Sequence, residues 1–263
     1  MKKYILLVFL IFIALLSTVF FVYIKKSNSP IVTSINIPDM FSFHEEPSAT
    51  EVQPSPILKD SYKISWIVVN DPNKIYLYSN LEDKLNSKDF ATKYSCVNLV
   101  SGGFYDKNDK HIGLFITNFN QINDELEDDT FNGFLSISDK GEAYITEYPV
   151  FSPRISIQAG PIIMKDGIKI NMTNTSDENA RRIVAGINKY NNLIFISVYV
   201  DSNNFSGPKL SELPSIIENF SIEKNLNIQV AINLDGGVHS SMISSTNNIS
   251  EASTVGSFFC IEP

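Results

Sequence analysis

The chain has 263 residues, 43% of them hydrophobic and 19% charged, and carries a net charge of −8. That length holds one good-sized domain plus appendages. The acid excess leaves no basic stripe to neutralise a run of phosphates, which excludes nucleic acid as a partner, although a single bound phosphate needs only a local cluster.

Met1-Lys2-Lys3 precede an almost unbroken apolar run from Tyr4 to Ile24, closed by Lys25-Lys26. About 20 apolar residues cross a bilayer as a helix. No small-residue cleavage pattern follows Ile24 and no lipobox cysteine is present. Residues 1–26 therefore read as an uncleaved single-pass anchor. The leading lysines favour a cytoplasmic N-terminus, which puts the rest of the chain outside the cytoplasm at the cell membrane. Cleavage within Leu15 to Phe20 is the alternative and would release the domain. Residues 27–59 are rich in Ser and Pro without a helical period and read as an extended tether. The domain proper spans 60–263.

The domain reads as strand-rich. Tyr62 to Val69 and Lys74 to Tyr78 are predicted strands, and Leu81 to Lys93 a charged amphipathic helix. Cys96 to Val100 is a strand entering a Ser101-Gly102-Gly103 turn. His111 to Thr117, Asn132 to Ser138 and Glu142 to Glu147 are further strands. Ile155 to Met164 is a strand pattern broken by Gly160-Pro161. Lys165-Asp166-Gly167 predicts a hairpin turn between Gly160 to Met164 and Ile168 to Ile170. A second hairpin joins Val184 to Asn188 with Leu193 to Val200. Leu213, Ile216, Ile217 and Phe220 share one face of a helix predicted over Lys209 to Ile222, with Ser211 able to cap it. Val230, Ile232 and Leu234 alternate with small or polar residues, as in a half-buried strand, and Val255 to Ile261 closes the chain. Many hairpins with few helices predict an α+β fold on a largely antiparallel or mixed sheet, preceded by one N-terminal transmembrane helix.

Four segments concentrate chemistry. The strand ending at Leu234 runs into Asp235-Gly236-Gly237-Val238-His239-Ser240-Ser241. The glycines let the backbone approach a ligand, and the hydroxyls suit an anion. A polar hairpin turn is the plainer reading of Asp-Gly. Val100-Ser101-Gly102-Gly103-Phe104, Gln158-Ala159-Gly160-Pro161 and Arg181-Arg182-Ile183-Val184-Ala185-Gly186 are the other three. An arginine fork with serine hydroxyls is what a phosphate needs.

In order and spacing these segments, with Gly113-Leu114-Phe115, resemble the phosphodiester glycosidase domain family, over most of the chain from about Tyr62 to Pro263. The resemblance implies hydrolysis of a sugar-1-phosphodiester on an envelope or extracellular glycan. The catalytic candidates are Asp235 and Arg182, on the resemblance, and His239, on its position beside Asp235 in the chain. Asp235 serves as general base, as nucleophile or as the group orienting one of these, and Arg182 holds the phosphate. Ser101, Gly102, Gly103, Gln158, Gly160, Gly236, Gly237, Ser240 and Ser241 are the implied substrate-binding residues.

Two positions depart from the family pattern. Ser101 stands where the family has asparagine. Ungapped, His239 and Ser240 fall on the family's two serines, whereas one inserted residue matches Ser240 and Ser241 instead. A catalytically idle, membrane-anchored module binding phosphorylated cell-surface polysaccharide is the alternative function. No cofactor is predicted, and a divalent metal is not excluded.

The three histidines, His44, His111 and His239, are too scattered for a zinc motif. His111 reads as a surface or strand-edge residue. His239 either moves protons or contacts phosphate near Asp235, or faces water in a turn. The acidic run Asp124 to Asp129 lacks the pattern of a calcium loop and reads as a solvated loop. The two cysteines, Cys96 and Cys260, either pair in an oxidising compartment or stay as separate buried thiols.

Overall fold

The computed structural model describes residues 62–172 and 178–263. The anchor and tether expected at 1–59 lie outside the described residues. Among the described residues no helix is long and apolar enough to cross a membrane.

In chain order the elements are β1 (Tyr62–Val69), β2 (Ile75–Ser79), α1 (Ser87–Lys93), β3 (Asn98–Ser101), β4 (Phe115–Thr117), β5 (Asn120–Asn123), β6 (Gly133–Ile137), β7 (Ala143–Thr146), β8 (Ile155–Ala159), β9 (Ile162–Lys165), β10 (Ile168–Lys169), β11 (Arg182–Asn188), β12 (Leu193–Val200), α2 (Leu213–Glu223), β13 (Ile228–Leu234), β14 (Met242–Ile243), β15 (Asn248–Ile249) and β16 (Ser257–Ile261). They form three sheets, ordered β1-β12-β11-β13-β9-β10, β15-β14-β3-β16-β2 and β5-β4-β8-β6-β7. Every pairing is antiparallel, which makes the fold α+β.

Side-chain alternation explains the layers. In the six-stranded sheet, Ile67, Ile183, Phe195 and Ile232 point to one face, into the main core shared with Leu77 and Phe259 of the second sheet and Leu135 of the third. Val184, Ile196 and Ala231 point to the other face and meet Leu213, Ile217 and Phe220 of α2. A third cluster packs Phe90 of α1 on Leu99 and Phe258.

The hairpin at Lys165 forms as expected. Asp166 and Gly167 both take positive φ, the requirement of the tight turn that suits strand twist. The helix expected over Leu81 to Lys93 is shorter. The Asn80 side chain binds both the N–H and the carbonyl of Leu85, and Asn86 then caps α1 by accepting from the Asp89 N–H at 3.0 Å. At α2 the cap position is Glu212, not Ser211, and no side chain caps it.

Cys96 and Cys260 are joined in a disulfide, settling the pairing the sequence leaves open. The bridge spans 164 residues, and closing so long a loop stabilises by about 5 kcal/mol on the chain-entropy account.

His111 is not at the surface. Its ring stacks on Phe115 at 3.7 Å between centroids, and Nε2 lies 2.9 Å from the Ser79 hydroxyl. Burial pushes its pKa down to about 4.

Candidate active site

Register brings the start of β11 and the end of β13 together at one end of the six-stranded sheet, with Ile183 opposite Leu234. β13 stops there because Asp235 turns away and donates its N–H to the Gly102 carbonyl at 3.3 Å. The end of β13 is thereby joined to the glycine pair that follows β3. On the other flank, the Gly160 N–H donates to the Asn233 carbonyl, and the Asn233 amide returns a bond to the Gly160 carbonyl at 2.9 Å. All four motif segments thus meet around the last residues of β13.

The turn itself needs its glycines. A Cβ on Gly236 would collide with the Arg181 carbonyl, and Gly237 has φ +58°. Gly237 then donates its N–H to that same Arg181 carbonyl at 2.8 Å.

Asp235 is half-buried at the mouth of this turn. Desolvation pushes its carboxyl up to about 7, and the Gly236 N–H, bonded at 2.9 Å, only partly opposes this. No cation contributes to the shift. A carboxyl so placed is divided between acid and base at neutral pH, which suits it to proton transfer.

Facing this acid is a group that sequence reasoning missed. The Tyr105 hydroxyl donates to the Thr254 carbonyl at 2.8 Å and lies 2.9 Å from Nδ1 of His239. Nδ1 is also 3.0 Å from the Thr254 carbonyl, which can only accept. Nδ1 therefore carries a hydrogen, which leaves Nε2 as the nitrogen able to exchange a proton. Burial raises the Tyr105 pKa, and the charge of Asp235 adds to the effect. The only sequence signal for Tyr105 was an aromatic residue two positions beyond the glycine pair.

The second half of the turn is sealed. Ser240 and Ser241 have no exposure, and neither has Arg181. Nε of Arg181 donates to the Ser240 hydroxyl at 2.9 Å. Its Nη2 donates to the carbonyls of Gly237 at 3.0 Å, Ser250 at 3.1 Å, and Ser240. Its Nη1 donates to the Asn204 carbonyl at 3.0 Å. Desolvation lowers this guanidinium to about 10, with Glu251 nearby opposing, so it stays charged.

Several sequence expectations change here. Arg181, not Arg182, is built into the acid-bearing turn. Arg182 donates instead to the Pro208 carbonyl at 3.0 Å and the Glu178 carbonyl at 2.6 Å. Gln158 has no capacity left for a sugar. Its Oε1 accepts from the N–H groups of Leu114 and Leu126, and its Nε2 donates to the carbonyls of Leu126 and Phe131. It pins the 111–131 segment, and the cavity it borders, about 760 Å³, is lined by neither Arg182 nor Asp235.

The hydroxyls of Ser101 and Ser241 are buried without a hydrogen-bond partner among the described residues, and the serines lie directly across from each other in β3 and the strand leading into β14. The amides of Gly102 and Gly103 are taken by the carbonyl and hydroxyl of Ser257. Asp124 to Asp129 form an exposed loop, turned by Asp128, which accepts from the N–H groups of Thr130 and Phe131. Among the described residues no three His, Cys, Asp or Glu side chains gather as a metal site.

The family model described as phosphodiester glycosidase matches residues 94–262. Among solved structures, the chain is similar to the catalytic domain of zebrafish N-acetylglucosamine-1-phosphodiester alpha-N-acetylglucosaminidase, auto-inhibited by its pro-peptide. The TM-score is 0.56 at 14% identity, over 77% of this chain and 83% of that one. A hypothetical protein from Synechocystis gives 0.58 at 11% identity, over 78% and 60%. A Burkholderia pseudomallei protein described as exported gives 0.52 at 10% identity, over 76% and 74%. At these identities the likeness concerns the fold. No curated protein matches the chain.

Proposed function

Since the chain belongs to the phosphodiester glycosidase family, we propose that it hydrolyses a sugar-1-phosphodiester of an extracellular or envelope glycan, held at the cell membrane by residues 1–26. The observation that carries this reading is the Asp235 carboxyl, set at the end of β13 and desolvated to about 7. In its ionised form it takes the proton of a water attacking the anomeric carbon, or stabilises the positive charge that develops there. The phosphate is a good leaving group and asks little of an acid. His239 is held through Nδ1 by Tyr105 and Thr254, and its Nε2 serves the departing phosphate only in the form in which that nitrogen carries a proton to donate.

Arg182 holds the phosphate in this scheme. Its Cα lies 3.6 Å from where a Cβ of Gly236 would sit. A phosphate offers the guanidinium a bidentate ionic partner that the neutral carbonyls of Pro208 and Glu178 do not, and in this scheme the ligand takes their place.

The test is release of free sugar from an N-acetylhexosamine-1-phosphodiester by the full-length chain, lost in Asp235→Asn. The second reading is the idle binding module. It is favoured by the inward-turned amides of Gly102 and Gly103, the saturated Gln158 and the sealed Ser101 and Ser241. Binding without turnover, unchanged by Asp235→Asn, would select it.

A further inference from the structure

A cavity of about 820 Å³ opens at the same end of the six-stranded sheet as Asp235, between the exit of β12 and the β14–β15 hairpin. That is the size of a small-molecule site. Its only charged lining residues, Lys63 and Asp201, pair with each other at 2.7 Å. A phosphate finds no uncommitted cation in it, and a hydrocarbon meets a wall of amides and hydroxyls.

The lining suits an uncharged polyol. A sugar hydroxyl is donor and acceptor at once, and so is a carboxamide. The side chains of Asn204 and Asn248 line the cavity and make no hydrogen bond among the described residues. Phe205 and Tyr199 supply half-buried ring faces for the C–H side of a pyranose, and the Tyr199 hydroxyl is steadied by Ser65 at 3.3 Å.

One cation couples this cavity to the acid. Arg181 donates to the Asn204 carbonyl, its guanidinium lies 5.0 Å from the Phe205 ring, and its other nitrogens hold the Asp235–Ser240 turn. We propose that the cavity binds uncharged carbohydrate and seats the glycan on the far side of the substrate's phosphate. The second half of this statement rests on the function proposed above.

The experiment uses full-length Asp235→Asn, which binds without turnover. Two ligands are compared: an N-acetylhexosamine-1-phosphodiester with a disaccharide on its far side, and the same diester with a methyl group there. The disaccharide ligand binds about tenfold tighter or more. Adding Asn248→Trp, which fills the cavity, removes that advantage, and Asn204→Ala, which keeps the backbone carbonyl used by Arg181, reduces it if the tryptophan variant does not fold. Equal affinities, or an advantage that survives both changes, overturn the proposal. Wild-type chain that binds in this pattern yet releases no sugar overturns the hydrolytic reading and leaves the carbohydrate site standing.

Discussion

The seven residues from Asp235 to Ser241 are built as two opposite halves. Asp235, Val238 and His239 keep contact with solvent, and Asp235 and His239 carry the groups able to move a proton. Ser240 and Ser241 are sealed, and a buried arginine crosslinks the backbone around them. A desolvated carboxyl costs stability, so it needs a rigid neighbour. The sealed half supplies that rigidity, through a cation that never meets the carboxyl.

The contrast breaks most visibly at the cation. Arg181→Ala strips bonds from four carbonyls and one hydroxyl. It should cost about 4 kcal/mol or more in a denaturant melt, because the fully buried hydroxyl and carbonyl of Ser240 lose their donor and a large side chain leaves the interior. Arg182→Ala should leave stability nearly intact and instead raise KM for the diester.

Asp235→Asn tests the other half. Turnover should fall by about 10²–10⁴ while the fold stays native by circular dichroism. Its stability effect has the opposite sign. The folded value of about 7 lies above the ordinary 3.8, so stability is full below about pH 4 and is lost as pH rises through 7. The residue keeps some solvent contact, which limits the cost of its ionised form at pH 8 to about 2–4 kcal/mol. Asp235→Asn should therefore raise Tm at pH 8 by roughly 5–10 °C, and by nothing at pH 4.

Gln158→Leu should cost about 3 kcal/mol by orphaning four backbone groups. It should leave KM of the surviving folded enzyme unchanged, since its amide faces no substrate. Tyr105→Phe is the smallest change. Losing the bond that steadies His239 should lower kcat by roughly tenfold with little change in KM.

Much of the scaffold was legible because alternation and turn chemistry are local. β1 ends where its alternation ends, and Asp166-Gly167 turns as its residues require. The acid after β13 was legible for the same reason. The roles of Gln158, Ser101 and Arg181 were not. The partners of Gln158 lie 27 to 44 residues away in the chain, and those of Arg181 up to 69. Neighbouring arginines on a strand point to opposite faces, and no local pattern says which face holds the turn. His111 looked superficial because its burial depends on Phe115 and Ser79, which meet it only through tertiary packing.

The central claim is that Asp235 is an acid poised near neutrality. Carbon-13 titration of its side-chain carboxyl by NMR tests this most directly, with Asp235→Asn identifying the signal. The account predicts a midpoint near 7. A midpoint at the ordinary 3.8 would mean a solvated turn carboxylate and would contradict it.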